Sequence, residues 1–238
     1  MAATRSAETD IRVAIVRAAT RLFAAKGFDG TALQEIADAV GVTKPAVLHH
    51  FPSKEHIRQA VLGEVLEHWQ ATLPRLLLAA SAGKGRFEAV FGELYRFFAS
   101  DADRARVILR ECLDRPAEAR KLLVGPVRPW LDAVAGYIRA GQAGGRHHAD
   151  LDPDAYVINI LCTVISLTAT ASVNVAGLGE DGRARYDREM ARIARSSLFI
   201  PESTQPLEHP QPPLAAPEPS RLRPATTAKR RKGTRKSV

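Results

Sequence analysis

The chain has only two cysteines, Cys112 and Cys162, far apart and in no Cys-x-x-Cys spacing. That excludes a zinc ribbon and a disulfide framework, and a reducing cytoplasm fits best. The N-terminus, MAATRSAETDIR, lacks an apolar core segment, so no signal peptide is visible. Ala155 to Gly179 is 25 residues without a charge. Asn159, Thr163, Ser166, Thr168, Thr170, Ser172 and Asn174 make it too polar for lipid, and no Lys/Arg flank is clear, so no membrane span is expected. No Ser or Cys stands in a recognisable nucleophile motif and no His-Glu-x-x-His occurs. The chain therefore reads as a non-enzyme without metal or cofactor.

Positive charge is plentiful, but it is unevenly placed. The net charge is +8 over 238 residues, which raises the prior for an anionic partner such as nucleic acid. From Pro201 to Val238 there are eight Lys/Arg against three Asp/Glu, so the preceding 200 residues carry only +3. The same segment holds eight of the 15 prolines and ends in AKRRKGTRKSV, with no periodicity. It reads as a disordered basic tail, 201–238, whose Lys229, Arg230, Arg231, Lys232, Arg235 and Lys236 can add non-specific phosphate contacts. Apolar residues make up 45% of the chain, enough for a core of ordinary size.

The rest reads as helices. Ile11, Ile15, Ala18, Leu22 and Phe23 repeat at helical spacing from Asp10 to Lys26, with Thr9 or Asp10 as cap and Gly27 as stop. A second helix is expected over Thr31–Val40, with Thr31 and Gln34 in capping-box spacing. A third runs from Lys44 to Phe51, with Thr43 as N-cap and Pro45 in the first turn. Ser53 opens a fourth, to about Thr72. Further helices are expected at Phe87–Ser100, Asp103–Leu113, Ala117–Val124, Pro129–Ala140, Asp154–Val175 and Arg183–Phe199. AGKG (82–85) and GQAGGRHHADL read as loops.

TKPAVLHHFPSKEHI holds three of the seven histidines within eight residues. His49 and His50 are adjacent and project about 100° apart on a helix, so they cannot easily share one ion. The neighbouring LQEIADAVGVTKPAVLHHF explains them better. It places a helix, a turn around Gly41 and a second helix in succession. Ala37 is small at the crossing, and Val42 and Val47 are apolar where the helices pack. This is a helix-turn-helix pattern, with a plain helical hairpin as the alternative. In the motif the second helix enters the major groove with its N-terminal residues at the base edges, here Thr43, Lys44, Pro45 and Ala46.

GFDGTALQEIADAVGVTKPAVLHHFPSKEHI, within Ile11–Ile57, resembles the N-terminal domain of the TetR/AcrR family of transcriptional regulators. The resemblance implies an all-α fold: a helix-turn-helix DNA-binding domain over 1–55 and a helical regulatory and dimerisation domain over 56–200. It implies that Thr31, Thr43, His50 and Lys54 touch phosphates or cap helices facing them. Lys44, Pro45, Ala46 and His49 would read bases or backbone, and Gln34 is a further candidate. An imidazole N–H can donate to a phosphate oxygen. Leu48 stands where the family usually has Tyr, and Ala46 where it often has Thr or Ser, so two hydroxyl donors are missing.

The same resemblance implies a homodimer on double-stranded DNA, acting as a ligand-responsive repressor at a pseudo-palindromic operator. A ligand-independent architectural DNA binder is the alternative. Phe87, Phe91, Leu94, Tyr95 and Phe98 form one stripe that, with Trp130 and Tyr137, can line a small-molecule pocket or simply pack a core. Arg110 and Glu111 can pair or meet a ligand, with solvated surface as the plainer reading. His147, His148, Asp150 and Asp152 read as a solvated loop. The last two helices, with small residues Ala169, Ala171 and Ser172, read as the dimer interface.

Overall fold

The computed structural model describes the backbone of residues 2–80 and 86–201, and the side chains of residues 10–71 and 87–201. The loop expected at 82–85 and the basic tail from residue 202 lie outside the described residues. Eleven helices make up the described chain. The β-structure among the described residues is a single bridge between His147 and Phe199.

α1 spans Ala2–Lys26, longer than its apolar periodicity suggests, so Thr9 and Asp10 lie inside the helix rather than at its start. Gly27 ends it in the left-handed conformation, φ 78°. α2 is Leu33–Val40, two residues shorter than expected at its start. Ala32, not Thr31, is its N-cap; alanine offers no acceptor, so only the reciprocal half of a capping box forms, the Ala32 N–H donating to Glu35 at 2.9 Å. Gly41 turns the chain at φ 75°, where a Cβ would meet no neighbour; it is needed for its backbone angle rather than for space. α3 is Lys44–His50, with the Thr43 hydroxyl accepting from the Ala46 N–H at 3.3 Å. Ile15, Phe23, Ile36, Ala37, Val47, Phe51, Ile57 and Val61 form the core beneath these helices.

α4 runs Lys54–Ala80, past Pro74, through a Leu- and Ala-rich segment of strong helix formers. It belongs to both cores of the molecule. Ile57, Val61 and Leu62 pack with α1–α3, while Val65 and Trp69 pack with the C-terminal helices. Those helices are α5 (Arg86–Ala99), α6 (Ala102–Asp114), α7 (Pro116–Val124), α8 (Arg128–Ala143), α9 (Pro153–Ala169), α10 (Ala171–Asn174) and α11 (Gly182–Ser196). The long uncharged segment is thus broken at Thr170 rather than continuous to Val175. α9 starts as its sequence signals, the Asp152 carboxylate accepting from Ala155 N–H at 3.0 Å with Pro153 in the first turn.

Two expectations of solvated residues are overturned. His147 is buried: its Nδ1 lies 3.0 Å from the Ile138 carbonyl and its ring meets Phe199 edge-on. Nδ1 therefore carries the proton, Nε2 is left without a partner, and burial holds the imidazole's pKa below its usual range. Gly141 makes the space, since a Cβ there would sit 2.0 Å from the imidazole. Glu111 is also buried and Arg110 half-buried, and they do not pair with each other. Arg110 donates to the Ala24 and Ala25 carbonyls, both at 2.9 Å, placing a cation at the C-terminal end of α1. Glu111 forms a buried ion pair with Arg58 of α4.

Replacing Glu111 by Ala removes one of the two carboxylates that hold the buried Arg58 guanidinium, Glu55 remaining, and should cost about 1–3 kcal/mol in urea unfolding. The apolar pair Arg58→Met with Glu111→Leu should cost less than that single change. Gly141→Ala should destabilise by about 1–3 kcal/mol in the same measurement, because the His147 ring has nowhere to move.

Candidate nucleic-acid interface and regulatory cavities

The candidate recognition surface is built by burying one face of α3 and leaving the other bare. Val47 is fully buried against α2, and the Val42 N–H closes the turn on the Ala37 carbonyl at 3.0 Å. Thr43, Lys44, Pro45, Leu48 and His49 are then exposed, and Ala46 and His50 half-exposed. No acid stands in the first turn of α3, so its N–H groups and the Lys44 ammonium present positive potential together. The His49 and His50 rings lie 5.6 Å apart, edge to face. Gln34 is exposed on α2, its amide donating to Asp38 at 2.7 Å. Six of the eight sequence candidates, Gln34, Thr43, Lys44, Pro45, His49 and His50, are thus exposed or half-exposed.

The other two candidates serve the fold. Thr31 is 1% exposed and its hydroxyl donates to the Gly27 carbonyl at 2.8 Å, so its side chain is turned away from any phosphate. The Lys54 ammonium donates to the carbonyls of Phe28 at 2.8 Å and Thr31 at 2.9 Å, and sits 4.4 Å from the Phe28 ring centroid. It pins the α1–α2 loop to the start of α4 and keeps one N–H in reserve. Arg12 was missed by sequence reading. It donates to the His50 carbonyl at 3.0 Å and lies over the Phe51 ring, so it holds the end of α3. A lone arginine on an amphipathic helix carries no signal of that contact.

Behind this surface a charged junction joins α1 and α4 to α6 and the start of α7. Arg58 donates to Glu55 from Nε at 2.9 Å and Nη2 at 2.5 Å, and pairs with Glu111 through Nη1. Arg115 reaches Glu55 at 3.4 Å and stacks over Phe28 at 4.2 Å. The Arg58 hydrogen bond holds the Glu55 carboxyl below its usual pKa range, whereas burial pushes Glu111 up against the pull of Arg58 and Arg115.

The aromatic candidates divide among three places. Phe87, Phe91, Trp130 and Tyr137 line a cavity of about 70 Å³, room for on the order of two waters, so they act mainly as packing. Phe98 instead lines a larger cavity of about 350 Å³ between α4, α6, α7 and α9, together with Trp69, Glu111 and both cysteines. Tyr95 lines neither cavity. Its hydroxyl donates to Asp187 at 2.5 Å and accepts from Arg183 Nε at 3.0 Å, tying α5 to α11, and burial helps push its pKa up to about 12. No group of three or more His, Cys, Asp or Glu able to hold a metal occurs among the described residues, and no described helix is long and apolar enough to cross a membrane.

Residues 15–61 match the family model described as bacterial regulatory proteins, tetR family. The chain is 31% identical over 153 residues to the HTH-type transcriptional regulatory protein RaaS of Mycobacterium tuberculosis, covering 59% of this chain and 72% of RaaS. It is 28% identical over 165 residues to the HTH-type transcriptional regulator RutR of Escherichia coli K12, covering 61% of this chain and 76% of RutR. The solved structure of AibR in complex with isovaleryl coenzyme A and operator DNA shares the fold, with a TM-score of 0.62 at 22% identity over 79% of this chain and 98% of AibR. With its helix-turn-helix followed by a helical C-terminal domain, the chain belongs to the TetR family of DNA-binding transcriptional regulators, which are not enzymes.

Proposed function

We propose that this protein is a ligand-responsive repressor that binds a pseudo-palindromic operator as a two-fold homodimer. The observation that carries this reading is α4. One helix holds the recognition unit through Ile57 and Val61 and forms a wall of the large cavity through Leu62, Val65 and Trp69. A change of shape at the cavity therefore reaches the DNA-binding end without crossing a loop.

In this reading Thr43, Lys44, Pro45 and Ala46 meet base edges or the adjoining backbone, and His49, His50 and Gln34 meet phosphates. Lys54 can add its remaining N–H. Ala46 offers only an apolar contact, of the kind a thymine methyl accepts. The dimer forms through α9–α11. Ala169 and Ala171 are buried within the subunit and do not face a partner, but Val173 and Ile193 are 74% and 54% exposed and supply an unpartnered apolar face. A dimer would set two recognition helices about 34 Å apart, one turn of DNA. A ligand shifts the population between that state and another only by its differential affinity for the two. That AibR was solved with both a small molecule and operator DNA supports a family member carrying both sites.

Selection of random duplexes by the purified protein at one stated salt should enrich a pseudo-palindrome with half-sites one turn apart. Binding without sequence preference that collapses with salt would favour the architectural alternative. Lys44→Ala should weaken every selected duplex and flatten the salt dependence by about one phosphate contact. Ile193→Glu should shift the protein towards monomer in sedimentation and lower operator affinity with it.

A further inference from the structure

We propose that the cavity between α4, α6, α7 and α9 takes a monoanionic amphiphile, with an aliphatic body inside and a carboxylate at the mouth against Arg120. This rests on the ligand-responsive reading above and names the class of ligand.

Size comes first. About 350 Å³ holds on the order of a dozen non-hydrogen atoms at roughly 30 Å³ for each water-sized group. The walls come next. Leu62, Leu66, Phe98, Ile108, Leu122 and Ile165 give the body of a ligand no hydrogen-bonding partner. The thiols of Cys112 and Cys162 are weak donors and weak acceptors. A polar body would lose its hydration here and recover little.

Charge decides the head group. Two ionisable side chains of opposite sign line this cavity, Glu111 and Arg120. Glu111 is buried and ion-paired with Arg58, so its charge is answered from the DNA-binding side. Arg120 is exposed at the mouth and forms no hydrogen bond or ion pair among the described residues. The uncompensated charge is therefore positive, and a guanidinium fork fits a carboxylate through two parallel N–H donors. The roof allows entry: α7 has no buried residue, and it ends between Pro116 and Gly125. The position of Glu111 links occupancy to DNA. A chain packed against this wall presses on the carboxylate that holds Arg58.

The test uses the full chain and three probes: decanoate, decanol and decyltrimethylammonium. The two tryptophans, Trp69 and Trp130, lie with ring centroids 4.8 Å apart, and Trp69 is in the cavity wall, so intrinsic fluorescence reports binding. Decanoate should bind about five- to tenfold tighter than decanol. Arg120→Gln should abolish that preference and leave decanol binding unchanged. Both cysteines line this cavity and not the smaller one, so decanoate should slow their labelling by maleimide. Equal binding of decanol or of the cation would overturn the assignment, as would decanoate binding that leaves both thiols as reactive as before. Operator affinity is measured separately. Decanoate that protects the thiols yet leaves operator affinity unchanged would refute ligand response while upholding the ligand class; loss of operator affinity together with thiol protection supports both.

Discussion

The ion pair between Arg58 and Glu111 constrains the rest of the molecule, because it places two opposite charges where neither can be solvated. Each side chain is 7% exposed, so separating them would leave the Glu111 carboxylate bare in an apolar setting and Arg58 with Glu55 alone. The relative position of α4 and α6 is fixed accordingly. Around it, Glu55 and Arg115 extend the network to the surface, and Arg110 attaches α6 to the end of α1. The helix-turn-helix unit is joined to the C-terminal helices by directional contacts rather than by apolar area alone, which sets a particular angle between them.

The candidate recognition surface follows a similar division, between residues that hold α3 and residues left exposed on it. Thr31, Lys54 and Arg12 are polar residues close to the interface, yet their polar atoms turn to backbone carbonyls of the loop and of α3. They fix where α3 lies. Thr43, Lys44, Pro45 and His49 stay exposed because the register set by buried Val47 leaves them on the outer face. The helix needs both sets, since a contact residue on an unfixed helix would lose affinity to the ordering it must undergo.

How much of this was legible depended on range. The turn at Gly41, the cap at Thr43, the stop at Gly27 and the start at Asp152 are local effects, and each shows in its own few residues. The helices expected over Phe87–Ser100 and Asp103–Leu113 lie within a residue of α5 and α6 at each end. Contacts between distant segments were not legible. Arg58 and Glu111 are 53 positions apart, and Arg110 meets a carbonyl 86 positions away. Glu111 and Arg110 read as surface because nothing nearby in sequence opposes them. Thr31 and Lys54 were expected by resemblance to touch phosphates or to cap helices facing them. Their actual partners are main-chain oxygens, which no side-chain pattern can announce. His147 failed similarly: its space is made by a glycine within a helix that sequence reading ended too early.

The weak anchoring of α7 bears on how such a protein can diversify. Only Leu122 and Leu123 of α7 pack, half-buried, against the two cores, so exchanges among its exposed positions change the shape and charge of the cavity roof at little cost in stability. The exposed face of α3 has no such freedom, because its neighbours Val47, Thr31 and Lys54 hold the fold. The shape and charge of the cavity can thus drift while the helix-turn-helix stays fixed, and the two properties are carried by parts of the chain that tolerate change to different degrees.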